Sequence, residues 1–349
     1  MSKAGLPNVA PILRAGYAGR CEVSVKRSND TSFVAGIGFA LAAFGIWGLL
    51  PLYWYMLRGT ASLEVAMHRI VWSCLLAWVI LFLRGRAGAL PRQMFRREML
   101  PSFLIAGVLL AVNWFTYVAA IATGRTLDAS LGYYINPLVS ILLGMLFLGE
   151  KLSRLQWAAL ISATLGVLYL TIQHGAAPWV SLILAFSFGL YGLLKKRRPA
   201  VRAVEGMAGE LAFIAPPALA ILVFRSLSGS PSFGASGLLV SLLLMGAGVA
   251  TLLPLLLFSA ATRRIPLSSV GFIQYLAPTL MLLIGVFVFG EPFEATRLPG
   301  FLLVWFALAL YTLSTVMRSM AAPVVTEPGI DLPEGNAPLG LETHQDEAR

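Results

Sequence analysis

Residues 134–150 read YINPLVSILLGMLFLGE and residues 275–291 read YLAPTLMLLIGVFVFGE, so one apolar segment occurs twice, 141 residues apart. Tyr134/Tyr275, Pro137/Pro278, Leu142/Leu283, Gly144/Gly285, Gly149/Gly290 and Glu150/Glu291 coincide. Each copy is a long apolar run that holds a proline and ends in Gly-Glu. A duplicated segment of this kind implies a duplicated membrane protein, and internal duplication in a membrane is above all a feature of transport proteins.

The composition excludes an ordinary soluble domain. Charged residues make up 12% of the chain and apolar residues 58%, against roughly 25% charged in globular proteins. The charges cluster between apolar windows at about 33–56, 63–83, 100–122, 128–148, 155–173, 177–194, 207–225, 236–261, 267–290 and 298–317. Each approaches the ~20 residues that a helix needs to cross a bilayer. Lipid offers no partners for backbone polar groups, so helices are expected rather than an open sheet. The runs are continuous rather than alternating, which disfavours a β-barrel. Cys21 and Cys74 read as free thiols, and no Cys/His spacing marks a metal site. Residues 1–32 read as a disordered basic extension with no signal-peptide core, and residues 322–349 as a disordered acidic tail.

The net charge of +10 invites a nucleic-acid reading. Its distribution rejects it. With a cytoplasmic N-terminus, the cytoplasmic segments hold 21 Lys and Arg and the external loops hold four: Arg58, Arg125, Arg225 and Arg297. This is the positive-inside pattern. It places both termini in the cytoplasm of a plasma (inner) membrane protein and favours an even number of spans.

The duplication runs through the chain. FGIWGLL at 44–50 returns as FGLYGLL at 188–194, and Thr123, Arg125, Ser130 and Gly132 return as Thr262, Arg264, Ser269 and Gly271. Spans one to five (33–173) thus match spans six to ten (177–317). Five is odd, so the halves are expected to be inverted in the membrane. The fold expected is an all-α integral membrane protein of ten transmembrane helices in two inverted five-helix repeats.

FGIWGLLP (44–51), the His68-Arg69 pair, Asn113-Trp114, LGYYINPLVSILLGMLFLGE (131–150), LAFSFGLYGL (184–193) and GFIQYLAPTLMLLIGVFVFGE (271–291) resemble the drug/metabolite transporter superfamily, in its ten-span EamA branch and RarD-like group. The resemblance covers about residues 33–317. It implies a ten-helix inverted-repeat transporter with a central cavity.

Ionisable groups inside spans are costly and ask for a reason. Arg69 lies about 9 Å inside span two at 1.5 Å per residue, and its repeat partner at a spacing of 141 is Glu210. Both are expected at the cavity, in charge selection or gating. His68 shares a helix face with Glu64 and reads either as a proton-coupling group or as a packing residue. Trp47 and Tyr191 are equivalent aromatics in spans one and six. Asn113, Trp114 and Tyr117 in span three, Asn136 before Pro137, and Gln274 with Tyr275 before Pro278 complete the candidate binding set. Glu150 and Glu291 read as structural span ends.

The function expected is secondary transport of a small organic solute, a metabolite or drug, by alternating access, with proton coupling left open. No phosphate loop of the GxxxxGK[ST] type occurs, and no cofactor is expected. The competing readings are an intramembrane enzyme on a lipid-like substrate, which lacks HExxH and GxSxG signatures here, and a membrane sensor or assembly factor. The partners expected are a small-molecule solute and the lipid bilayer, with no nucleic acid and with a homodimer left open.

Overall fold

A computed structural model describes residues 10–123, 125–175, 178–197, 202–229 and 232–320. Over them the chain is helical, with no strand. Ten helices are long and apolar enough to cross a membrane: Thr31–Tyr55, Ser62–Leu83, Leu100–Ala122, Asp128–Leu148, Arg154–Gln173, Trp179–Lys196, Ala203–Leu227, Leu238–Thr262, Leu267–Phe287 and Ala295–Met317. They are spans one to ten below. Many of their large apolar side chains point outward, among them Phe82, Leu146, Phe224 and Phe287; this is the surface expected against lipid rather than water.

The first helix as a whole is Ala10–Tyr55 and reaches back into the segment expected to be disordered. No proline occurs between Pro11 and Pro51 to stop it. The acidic tail expected at 322–349 lies outside the described residues.

The main helix pairs come in matched sets. Spans two and seven pack on each other, as do four and nine, and five and ten. Span one packs on eight and nine, while span six packs on three and four; span two meets eight, and seven meets three. Exchanging the halves maps the first three pairs onto themselves and each of the others onto another of the set. Close approach is built from small residues. At the crossing of spans five and ten, a Cβ on Gly166 would stand 2.7 Å from the Gly300 carbonyl oxygen.

The opening motif performs one job in both copies. Gly149 and Gly290 adopt left-handed φ values of 65° and 68°, which glycine takes at little cost. The chain turns there, and the Glu150 and Glu291 amides donate back to the carbonyls of Gly144 at 3.2 Å and Gly285 at 2.9 Å. Each glutamate folds over its glycine: a Cβ on Gly144 would stand 2.6 Å from Glu150 Oε2, and one on Gly285 2.8 Å from Glu291 Oε2. The Glu150 carboxylate then accepts from the amides of Leu267 at 2.6 Å and Ser268 at 2.8 Å. It caps the first turn of span nine, where helix amides lack internal partners and the dipole favours an anion.

Span nine is broken. Helices Leu267–Gln274 and Leu276–Phe287 meet at Tyr275. Pro278 has no N–H to offer the Gln274 carbonyl four residues back, so the ladder parts there. Span four keeps Pro137 inside an unbroken helix, Thr126–Leu148. Across this pair the Tyr134 hydroxyl donates to the Pro278 carbonyl at 3.2 Å, whereas the Tyr275 hydroxyl is buried without a partner among the described residues. The Pro137 carbonyl is covered by Gly271.

Candidate functional site

Between the two halves lies a cavity of about 150 Å³ lined by residues of spans one, two, three, four, six, eight and nine. Trp47, Arg69, Asn113, Trp114, Tyr117, Asn136 and Gln274 of the expected set line it. Arg69 is its only charged lining residue among those described. Its Nε donates to Thr251 Oγ1 at 3.0 Å. Its guanidinium lies over the Trp54 ring at 4.8 Å and near the Trp114 ring at 5.6 Å. Two indole rings attract a cation favourably, but among the described residues its remaining N–H donors have no hydrogen-bond acceptor.

The rest of the wall is aromatic and amide. Trp47 packs edge-on against Phe188 at 5.5 Å and beside Phe44 at 5.3 Å. The Asn113 amide donates to the Leu184 carbonyl at 2.9 Å and to Ser187 Oγ at 3.0 Å, which ties span three to span six. Gln274 Oε1 accepts from Ser140 Oγ at 3.4 Å. Asn136 Oδ1 is buried with no hydrogen-bond partner among the described residues. The Tyr117 and Tyr133 rings lie 6.1 Å apart in the same wall as Arg69.

Four expected residues lie off this cavity. Glu210 is drawn to Lys195, whose Nζ donates to Glu210 Oε1 at 2.7 Å, and the Tyr191 hydroxyl donates to Glu210 Oε2 at 3.2 Å. The strong pairing of buried opposite charges holds Glu210 and Tyr191 in this cluster. His68 is one residue from Arg69 and so points about 100° around the helix. Its ring faces Phe233 at 5.2 Å, and its Nδ1 accepts from Trp72 Nε1 at 3.2 Å. Tyr275 sits buried at the break in span nine.

Two ion pairs stand outside the expectations drawn from the sequence. At the start of span two, Glu64 reaches Arg225 at the end of span seven, 3.4 Å away. Glu64 also accepts from the amides of Ser232 at 2.6 Å and Phe233 at 3.3 Å. At the opposite ends of the same two spans, Arg86 reaches Glu205 at 3.2 Å. A partial signal for them exists in the repeat: Glu64/Glu205 recur at the spacing of 141, whereas the counterpart of Arg225 at that spacing is Arg84, two residues before the Arg86 that makes the contact. Trp54, Tyr133 and Thr251 also line the cavity; nothing in their spacing sets them apart.

A bundle of ten apolar helices around a cavity lined by aromatic rings, amides and one arginine defines a multi-pass membrane transport protein. Residues 34–172 match the EamA-like transporter family. The chain is 45% identical to the uncharacterized transporter YojE of Bacillus subtilis over 82% of its length and 96% of that protein's. It is 38% identical to protein RarD of Escherichia coli over 80% of its length and 95% of that protein's. A solved crystal structure matches with a TM-score of 0.65 at 18% identity, covering 81% of this chain and 98% of that one; this likeness bears on the fold alone. The chain belongs to the EamA-like transporter family, as a RarD-like member.

Proposed function

We propose that this protein is a secondary transporter that carries a small organic solute through its central cavity by alternating access between two inverted repeats. One observation carries the reading: the cavity is lined by helices of both halves, and spans two and seven, which pack on each other across the halves, carry at their two opposite ends ion pairs built on the repeat-equivalent Glu64 and Glu205. Glu64 and Glu205 each precede the paired positions Arg69 and Glu210 by five residues, about 7.5 Å along a helix. Exchange of the repeats interchanges the two glutamates, each of which faces an arginine at the end of the other half's span. Opening one ion pair while closing the other exposes the cavity to one side at a time.

The two ion pairs differ in tightness. Glu64 and Arg225 side chains are 2% and 27% exposed, while Glu205 and Arg86 are 14% and 39% exposed. Positive-inside charge puts the Glu64 end outside and the Arg86 end in the cytoplasm. The external end is thus the more firmly shut, with Ser232 and Phe233 drawn over it. Proton coupling through His68 gains no support from its placement, because Nδ1 is already occupied by the Trp72 N–H.

The test is reconstitution into liposomes with a panel of small organic solutes and an imposed pH gradient. Solute flux that depends on the protein is expected. No flux under any gradient would sink the reading. Dependence of that flux on the pH gradient would establish proton coupling.

A further inference from the structure

The two repeats treat their buried charge differently. Glu210 has its counter-ion in Lys195 at 2.7 Å, both side chains being under 10% exposed. Arg69 stands at the same place in the first repeat. By the FGIWGLL/FGLYGLL register, spaced by 144, the position equivalent to Lys195 is Pro51, which lines the cavity and carries no charge. The first repeat therefore presents a cation without its counter-ion. No Asp or Glu lines the cavity among the described residues.

An arginine offers five N–H donors, and among the described residues Arg69 commits only Nε, to Thr251. A cation at membrane depth that lacks an anionic partner is costly, and here the missing partner is one that the cavity can receive. Arginine is well shaped to receive it, because its planar fork binds oxyanions through two parallel hydrogen bonds and stacks on aromatic rings at the same time. Trp54 and Trp114 hold the guanidinium against their rings at 4.8 and 5.6 Å, and its Nη groups have no hydrogen-bond acceptor among the described residues. A second unsatisfied group lines the same cavity, the acceptor Asn136 Oδ1.

We infer that the solute is a small organic anion, with a carboxylate or similar oxyanion seated on the Nη groups of Arg69 and an N–H or O–H donor for Asn136 Oδ1. This rests on the transporter reading for its biological meaning but not for its binding chemistry. The cavity's 150 Å³ is below the roughly 300–1,000 Å³ of common ligand pockets. The anion is therefore small, with an apolar or aromatic body against Trp47 and Phe188.

The test is thermal unfolding of the full-length protein in detergent with benzoate, mandelate, lactate and succinate, each paired with its neutral amide. At least one carboxylate is expected to raise the wild-type Tm while its amide does not. Arg69→Gln is expected to weaken that carboxylate about tenfold or more, as loss of a charged hydrogen bond does, and Arg69→Lys to restore part of it. Asn136→Ala is expected to weaken mandelate more than benzoate, which lacks the hydroxyl. Amides that stabilise as well as their acids, an Arg69→Gln protein with an unchanged carboxylate shift, or no shift from any carboxylate would each overturn the inference. The wild-type acid-against-amide contrast needs no variant to fold. Flux of the same compounds separates the two readings: carboxylate binding without flux supports the anion site and sinks transport, while amide flux indifferent to Arg69→Gln does the reverse.

Discussion

Glu64 and Glu205 occupy one position of the repeat, and each reaches an arginine of the other half: Glu64 meets Arg225 at 3.4 Å, and Glu205 meets Arg86 at 3.2 Å. The two contacts close opposite ends of the same pair of helices. A duplicated glutamate has thus produced an ion pair at each end.

Removal of the Glu64 carboxylate is expected to free the segment that it holds. Glu64→Ala deletes the acceptor for Ser232 and Phe233. In a background without Cys21 and Cys74, a cysteine placed at Phe233 is expected to react several-fold faster with an impermeant maleimide. Arg86→Ala loosens the other end, and labelling at position 233 is expected to stay level or fall. Equal acceleration by both changes would speak against exclusive opening.

The Lys195–Glu210 pair is expected to be structural. Either single change, Glu210→Leu or Lys195→Leu, strands a buried charge and should cost ~3–5 kcal/mol. The double change removes both charges and should recover most of that loss. Thermal unfolding of the purified protein measures the cycle, and an additive double variant would refute the coupling.

Gly144→Ala is expected to destabilise the protein, because its Cβ would meet Glu150 Oε2 at 2.6 Å and disturb the cap on Leu267 and Ser268. Glu150→Ala alone should cost ~1 kcal/mol or more, the scale of a lost helix cap. With Glu150 already truncated, Gly144→Ala should cost less than in the wild type. Denaturation midpoints of the four proteins check this.

His68→Gln is expected to leave the pH dependence of flux unchanged across about pH 5 to 8, where an ordinary histidine titrates. The Nδ1 lone pair is used by Trp72, which marks the ring as a packing group between Trp72, Phe233 and Glu64. Initial rates in proteoliposomes at several pH values decide it; loss of the pH dependence would restore His68 as the proton site.

The helices are legible in the sequence because apolar length alone specifies a span, and all ten windows return as helices. The break at Tyr275 is explained by Pro278, yet Pro137 lies in an unbroken helix, so proline by itself does not settle where a span parts. Within the site, Arg69 stands out because a charge at that depth is rare. Spacing pairs Glu210 with it, but Lys195 reads from sequence as part of a cytoplasmic segment, which hides the neutralising contact. The ion pairs of Glu64 and Glu205 are hidden for a similar reason: charges near span ends look like solvated loop residues until the fold brings two such ends together. Thr251 and Trp54 are ordinary members of apolar runs, and only packing brings them to the guanidinium.

Under alternating access, the unequal tyrosines at the crossing of spans four and nine would set the balance between two conformers. In this conformer Tyr134 holds the Pro278 carbonyl at 3.2 Å, and Tyr275 holds nothing among the described residues; after exchange of the repeats, Tyr275 would hold Pro137 and Tyr134 would be idle. Loss of a hydroxyl worth ~1 kcal/mol shifts a two-state ratio about fivefold. Tyr134→Phe and Tyr275→Phe should therefore bias the populations in opposite directions, one against this conformer and one towards it, without touching a single cavity residue.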